Sequence, residues 1–297
     1  MNGIIVINKE KDMTSRDVVN IISKQLNVKK VGHTGTLDPI ATGVLVVCLG
    51  SATKLVEILT SSYKEYEAEI ILGTQTDSLD ITGNIIKEEE VNFKKEEIIN
   101  ALESVKGKYM QEVPIYSAVK VNGMKLYEYA RNNMNVTLPK KEVDIKEIEL
   151  ISDIRYENNK IIFKFRCLVS KGTYIRSLIR DIALKLNTVG IMSNLKRTKQ
   201  GNFNIENSYT LNDIKNGNFK LIPINECLSN LFTCKVDDYL ENKIKNGQLL
   251  ENRYDSEKIL FVNQNDEVLA IYEVYEKDSN KIKPWKMFWT WHFHSLW

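Results

Sequence analysis

Cysteine is scarce in this 297-residue chain, and no two of its four (Cys48, Cys167, Cys227, Cys234) stand in a CxxC spacing. That spacing rule excludes a zinc ribbon or a dithiol redox motif, so the thiols read as free in a reducing cytoplasm and no metal site is expected. Histidine is rarer still: outside positions 292 and 294 there is only His33. Neither GxGxxG nor GxxxxGK(S/T) occurs, so no nucleotide cofactor, nor any other, is expected. There is no apolar run of 18 residues and no signal-like opening, so a membrane partner is not expected either. A hydrophobic share of 43% and a charged share of 27% describe a globular chain long enough for one large core and a smaller module.

Net charge is also small, at +2, but it is unevenly spread. Residues 151–200 hold eleven Lys/Arg against three acids, while 51–100 hold five against eleven. A charge run is usually a solvated face. Segregation on this scale favours a positive face for nucleic acid.

The densest pattern is GHTGTLDPIATGVLVVCLG, Gly32 to Gly50. Asp38 sits in a Gly/Thr-rich loop closed by Pro39, ahead of an apolar run, Val44–Leu49, that predicts a buried strand. Most loop Asp residues only bond their own backbone; here a carboxylate stands at the mouth of a rigid element, where geometry is held tightly. Four further strings follow the same logic: Ile5–Lys9 with Met13-Thr14-Ser15; YEAEIILGTQTDSLDITG from Tyr66; VPIYSAVKVNGMKLYEYAR from Val113 to Arg131; and SKGTYIRSLIRDI from Ser170 to Ile182.

In this order the five strings resemble the motifs of the TruB family, the tRNA pseudouridine-55 synthases, over roughly residues 1–200. Glu10 and Val113 stand where the family has proline. The resemblance implies an α+β fold: a mixed, largely antiparallel sheet forming a pseudouridine synthase catalytic domain (1–228), then a small β-rich PUA-like module (232–288). The tail 289–297, where tryptophan and histidine concentrate, is given no function. The implied reaction turns uridine into pseudouridine at position 55 of the tRNA T loop, with the T arm as partner, the chain a monomer, and no cofactor.

The resemblance also implies roles. Asp38 is the catalytic carboxylate, as nucleophile toward C1′ or base toward the 2′ hydrogen. Arg176 pairs with it, favouring the charged form through a bidentate fork; from helix geometry alone it is as readily a surface arginine. Tyr66 stacks on the flipped base, with Tyr174 as a second aromatic beside the cleft; a strand-end core tyrosine is the plainer reading of Tyr66. His33, Lys9, Lys120, Lys171 and Arg180 are expected to contact RNA, Arg180 lying on the same side of its helix as Arg176; the basic block 151–200 adds Lys196 and Arg197 to the expected RNA contacts. Asp77 and Asp80 read as a loop holding the sheet edge. Two other classes are distinguishable: a phosphohydrolase would need more carboxylates and magnesium, and a pure RNA-binding protein would survive loss of Asp38.

Periodicity places strands at Gly3–Ile7, Tyr66–Leu72, 143–150 and 161–169, the last two joined by a polar turn at 157–159. It places helices after Thr14 or Ser15, after Ser51, over 94–105, over 124–132 and over 173–186.

Overall fold

The computed structural model describes residues 1–288; the tail 289–297 lies outside them. A ten-stranded sheet organises the larger part. Its main path runs Gly3–Lys9, Thr42–Leu49, Gly190–Gln200, Lys64–Leu72, Lys160–Val169, Lys140–Leu150, Gly107–Glu112. Every neighbouring pair on that path is antiparallel except Thr42–Leu49 with Gly190–Gln200.

The run Val44–Leu49 is apolar at every position because it is covered on both faces. Val44, Val46 and Cys48 pack into one core, while Leu45, Val47 and Leu49 pack into another with Val18 and Ile22 of helix Ser15–Gln25. Thr14 caps that helix through a reciprocal box with Asp17. Helix Ile175–Lys185 buries its stripe of Ile175, Leu178, Ile179, Ile182 and Ala183 against the central strands. Gly43 has φ +100°, and a Cβ there would collide with the Arg197 backbone. Only glycine lets these two strands meet in parallel at this point.

Several local expectations change. Ser51 caps nothing: Gly50–Leu55 is a 3-10 turn leading into the short helix Val56–Thr60, with no side-chain cap on either. The 124–132 helix begins only at Leu126, because Met124–Lys125 pairs with Lys120–Val121. The 143–169 segment is not a simple hairpin. Arg155–Glu157 intervenes and pairs with Lys160–Ile162 across the turn Asn158–Asn159, whose φ values are both positive.

Charge segregation in the chain is largely undone by strand pairing. Lys160–Val169 lies antiparallel to Lys64–Leu72, so Arg166 faces Glu67 and Lys164 faces Glu69. Arg166 bonds Glu67 at 3.2 Å and Glu149 at 3.1 Å, and Arg155 bonds Glu69 at 3.4 Å. The expected broad positive face therefore reduces to a few lysines, with Lys171, Lys185, Lys196 and Lys199 lacking a carboxylate partner among the described residues.

Beyond residue 231 a five-stranded sheet follows, in the order Phe232–Lys235, Lys258–Val262, Val268–Tyr275, Asp278–Met287, Leu250–Glu251. The expected β-rich module thus also carries a helix, Asp238–Lys245, capped by Asp237. It is not a separate body. Leu260, Val262, Ile271 and Phe288 share one core with Ile4, Val6, Val44, Val46 and Leu55. Lys286 reaches Glu57 at 2.7 Å, and the Lys54 amine donates to the Met287 carbonyl.

A shared core makes unfolding of the two parts cooperative. Ile271→Ala, deep in the C-terminal sheet, should cost about 2–5 kcal/mol in urea unfolding. Tryptophan emission, which reports the C-terminal end, should change together with far-ultraviolet dichroism of the whole chain. Two separated transitions would contradict a common core.

Candidate active site

Asp38 follows the strand Val31–His33 and precedes Thr42–Leu49, at the edge of a cavity of about 470 Å³. Its carboxylate is about one-third exposed, facing that cavity. Arg176, on the first turn of its helix, donates from Nε to Oδ2 at 2.9 Å and from Nη2 to Oδ1 at 3.2 Å. The expected fork is present. The rest of the guanidinium is held as firmly: Nη1 donates to the Ser78 carbonyl and Nη2 to the Tyr116 carbonyl, both at 3.1 Å.

The Asp77–Asp80 loop therefore has a positioning task. Asp80 is fixed by Thr82 N–H at 2.9 Å and the Thr82 and Ser78 hydroxyls at 2.6 and 2.7 Å, and stands 3.8 Å from the Arg176 Nη1. Leu79 between them adopts φ +63°, a conformation costly for a branched side chain, of order 1–3 kcal/mol. Met192 N–H locks this turn by bonding the Leu79 carbonyl. Among the described residues, no group of three His, Cys, Asp or Glu is arranged to hold a metal.

The Asp38 loop is braced along its length. Ser15 Oγ accepts from Leu37 N–H at 2.9 Å. Lys9, fully buried, donates to the carbonyls of Glu10, Met13 and Pro39. Asp12 N–H also bonds Pro39, at 2.8 Å, so the turn that lacks the family's proline is tethered to the loop directly. Arg197, also buried, donates to Val44 at 2.6 Å and to Gly35 at 3.0 Å, and its Nη1 lies 3.5 Å from the Tyr66 hydroxyl.

These contacts correct three expected RNA contacts. The Lys9 donors are spent on carbonyls. Arg197 lies beneath the cavity, its neighbour Lys196 alone being exposed because successive strand residues point to opposite faces. Arg180 is neutralised by Glu112 at 2.8 Å and Asp181 at 3.0 Å and lines a different cleft.

Tyr66 and Tyr174 both line the cavity, as does exposed Lys171. Lys120 and Lys196 are exposed outside it. His33 is not among its lining residues; burial pushes its imidazole down, and Nδ1 lacks a hydrogen-bond partner. That leaves it neutral near pH 7 and poorly placed for proton transfer. Tyr116 and Tyr127 line the cavity without having been singled out. Their signal lay in the string from Val113 to Arg131, which carries three tyrosines.

Two substitutions at adjacent positions should diverge. Arg197→Met orphans two backbone carbonyls, costing about 1–3 kcal/mol each; Lys196→Ala, on the surface, should stay within about 0.5 kcal/mol. Equal losses in chemical unfolding would contradict the burial contrast. Lys9 adds a pH signature. Burial pushes its amine down to about 8, below the 10.5 of an exposed lysine. Between those values the unfolded chain binds the extra proton, so this contribution to stability rises with pH through the window and is lost as pH falls through 8. The stability of the wild type relative to Lys9→Met should therefore increase from pH 8 to 10. A flat difference would show that Lys9 is not held charged against its environment.

Comparison with known proteins agrees with this geometry. Residues 23–175 match the model described as "TruB family pseudouridylate synthase (N terminal domain)", and 176–222 match "tRNA pseudouridylate synthase B C-terminal domain". Proteins named tRNA pseudouridine synthase B from Staphylococcus aureus strains MSSA476 and Newman are 42% identical, covering 97% of this chain and 99% of theirs. The chain also superimposes on a solved Cbf5-Nop10-Gar1 complex with TM-score 0.70 at 25% identity, over 97% of this chain and 85% of that one. An H/ACA RNP bound to a substrate RNA containing 2′-deoxyuridine gives TM-score 0.68 at 24% identity, again over 97% and 85%. With its Asp38–Arg176 pair set in a tyrosine-lined cavity and both family models matched in succession, the chain belongs to the TruB family of pseudouridine synthases.

Proposed function

We propose that this enzyme isomerises uridine to pseudouridine at position 55 in the T loop of tRNA, working as a monomer in the cytoplasm. The Asp38–Arg176 fork at the edge of the tyrosine-lined cavity carries this reading. The relatives named tRNA pseudouridine synthase B support tRNA as the substrate.

The chemistry asks for little beyond that cavity. A uridine in the T arm is stacked, so it must be flipped out, at a cost of a few kcal/mol. Tyr66, with Tyr174, Tyr116 and Tyr127 around the same space, offers the flipped base aromatic surface worth about 1–3 kcal/mol per stacked base. Asp38, oriented by Arg176, then acts on the ribose. As nucleophile it bonds C1′ while the N1–C1′ bond breaks and its electron pair leaves with the uracil. As base it removes the 2′ hydrogen and the same glycosidic bond breaks. In both routes the uracil turns in place and C5 bonds C1′; in the first this breaks the Asp38–C1′ bond and frees the carboxylate, in the second C2′ regains the proton that Asp38 removed, and in both the C5 proton is lost and N1 gains one. Atoms and electrons balance within the nucleotide, so the reaction consumes no oxidant, metal or nucleotide.

Recognition then rests on the folded T loop and its phosphates, with the C-terminal sheet reaching toward the acceptor stem of full-length tRNA. Asp38→Asn keeps the size of the side chain but removes the charge. Turnover should fall by at least a thousandfold while tRNA affinity changes little. A stem-loop carrying only the T arm should be modified, at position 55 alone, when pseudouridine is mapped by site. Near-normal turnover in the variant would remove Asp38 from its role, and modification of anticodon-arm uridines instead would overturn the specificity.

A further inference from the structure

Strand Gly107–Glu112 hides a glutamine that no part of the reaction has yet used. Gln111 is 1% exposed and points to the same face of its strand as Tyr109, which packs against the main core. An amide buried so deeply is unfavourable unless both its ends are bonded. Here they are. Its Oε1 accepts from the Tyr174 N–H at 2.8 Å, and its Nε2 donates to the Tyr109 hydroxyl at 3.0 Å. Tyr109 in turn donates to Asp181 Oδ2 at 3.0 Å.

The polarity of this chain of bonds is fixed from both ends. Asp181 is ion-paired with Arg180 at 3.0 Å, so its carboxylate only accepts. Burial, then Asp181, push the Tyr109 hydroxyl up, so it keeps its proton and donates it. The Tyr109 oxygen is left to accept, which demands the NH₂ end of Gln111. At the other end a backbone N–H can only donate, which demands the carbonyl end. The relay begins and ends on one helix, Ile175–Lys185: Asp181 stands on its second turn and Tyr174 is its N-cap residue, with no side-chain cap of its own. Ser177 Oγ fastens the same turn to the Glu112 carbonyl at 2.8 Å. Arg176 follows two residues after Tyr174, and the Tyr174 side of this junction lines the cavity.

We propose that Gln111 is a positioning residue for the isomerisation: through the Tyr174 N–H it fixes the start of the helix that aims Arg176 at Asp38. The inference rests on the reading of Asp38 as the group that acts on the ribose. Gln111 does not line the cavity, so it touches no nucleotide seated there. Its loss therefore acts through Tyr174 and Arg176 alone. A small drift of the helix start tilts the fork away from the Asp38 carboxylate, and chemistry is far more sensitive to such drift than RNA binding over a wide surface. Tyr109 supports the same task at one remove, by holding the Gln111 amide the right way round.

The test is a double-mutant cycle on the rate. Wild type, Gln111→Met, Tyr109→Phe and the double variant are mixed in excess with unmodified full-length tRNA, and pseudouridine is mapped by site over time. Gln111→Met keeps the length of the side chain and should lower the single-turnover rate about tenfold. The enzyme concentration giving half the maximal rate should stay within about twofold, with the folded fraction unchanged by circular dichroism. Tyr109→Phe should cost about threefold in the wild-type background and nothing further beside Gln111→Met. An unchanged rate in Gln111→Met, a loss confined to affinity or folded fraction, or additive losses in the double variant would each overturn the proposal. Should Gln111→Met fail to fold, Tyr109→Phe decides alone: its threefold loss of rate at unchanged affinity supports the relay, and a wild-type rate sinks it. If the wild type modified a uridine other than position 55, the specificity proposed above would fall, while the ratio of rates at that uridine would still decide the role of Gln111.

Discussion

Everything about this site depends on the placement of one guanidinium. Arg176 is almost fully buried, and a buried charge is tolerated only where its donors are matched. The Asp38 carboxylate and the Ser78 and Tyr116 carbonyls match them, and they come from three loops far apart in the chain. Removing any one leaves the others aimed at an unsatisfied charge. The geometry of the Asp38 carboxylate is thus set jointly by the sheet-edge loop and by the segment after Gly107–Glu112. That explains why the Asp77–Asp80 turn carries an αL leucine, since a relaxed turn would point the Ser78 carbonyl elsewhere.

The loop bearing Asp38 is held by the same device in reverse. There, buried cations serve backbone carbonyls: Lys9 at Pro39, Arg197 at Gly35 and Val44. Each cation costs desolvation and recovers it only through short bonds to fixed dipoles. The loop between them has little freedom to relax. For the proposed reaction by either route, a carboxylate gains from such a mount, because misplacement by about 1 Å can cost a hundredfold in rate.

Much of this was legible in the chain, and the pattern of what was not is instructive. The apolar run Val44–Leu49 and the stripe of helix Ile175–Lys185 follow from local periodicity and stand as read, and of the two cap candidates Thr14 and Ser15 the structure uses Thr14. Asp38 and Arg176 came from motif strings, 138 residues apart, which no local pattern could have joined. Lys9, Arg180 and Arg197 were misread for one reason: a motif position or a basic stretch reports that a residue is charged, but strand parity and helix azimuth decide what its charge meets. Lys196 and Arg197 are neighbours in the chain and lie on opposite sides of the sheet. The segregated charge of 51–100 and 151–200 misled in the same way, because antiparallel pairing lays the acidic strand directly against the basic one. Cross-strand pairs of that kind contribute only about 0.2–1 kcal/mol each, yet they remove most of the expected positive face.

The cancellation has a consequence for how an RNA-binding surface can be built on a nearly neutral chain. Once Arg155, Lys160, Lys164, Arg166 and Arg180 are paired with acids, the remaining positive potential is not spread over a face. Part of it stands at the cavity that Asp38 borders, which Lys64, Lys141, Lys171 and Arg197 line. Potential focused in a cleft with low-dielectric walls acts more strongly than the same charge spread over open surface. A chain of net charge +2 therefore need not be weakly attracted to RNA at the point that matters. The C-terminal sheet contributes to this arrangement through packing, because its apolar residues close the far side of Thr42–Leu49 and hold rigid the strand from which the Asp38 loop springs.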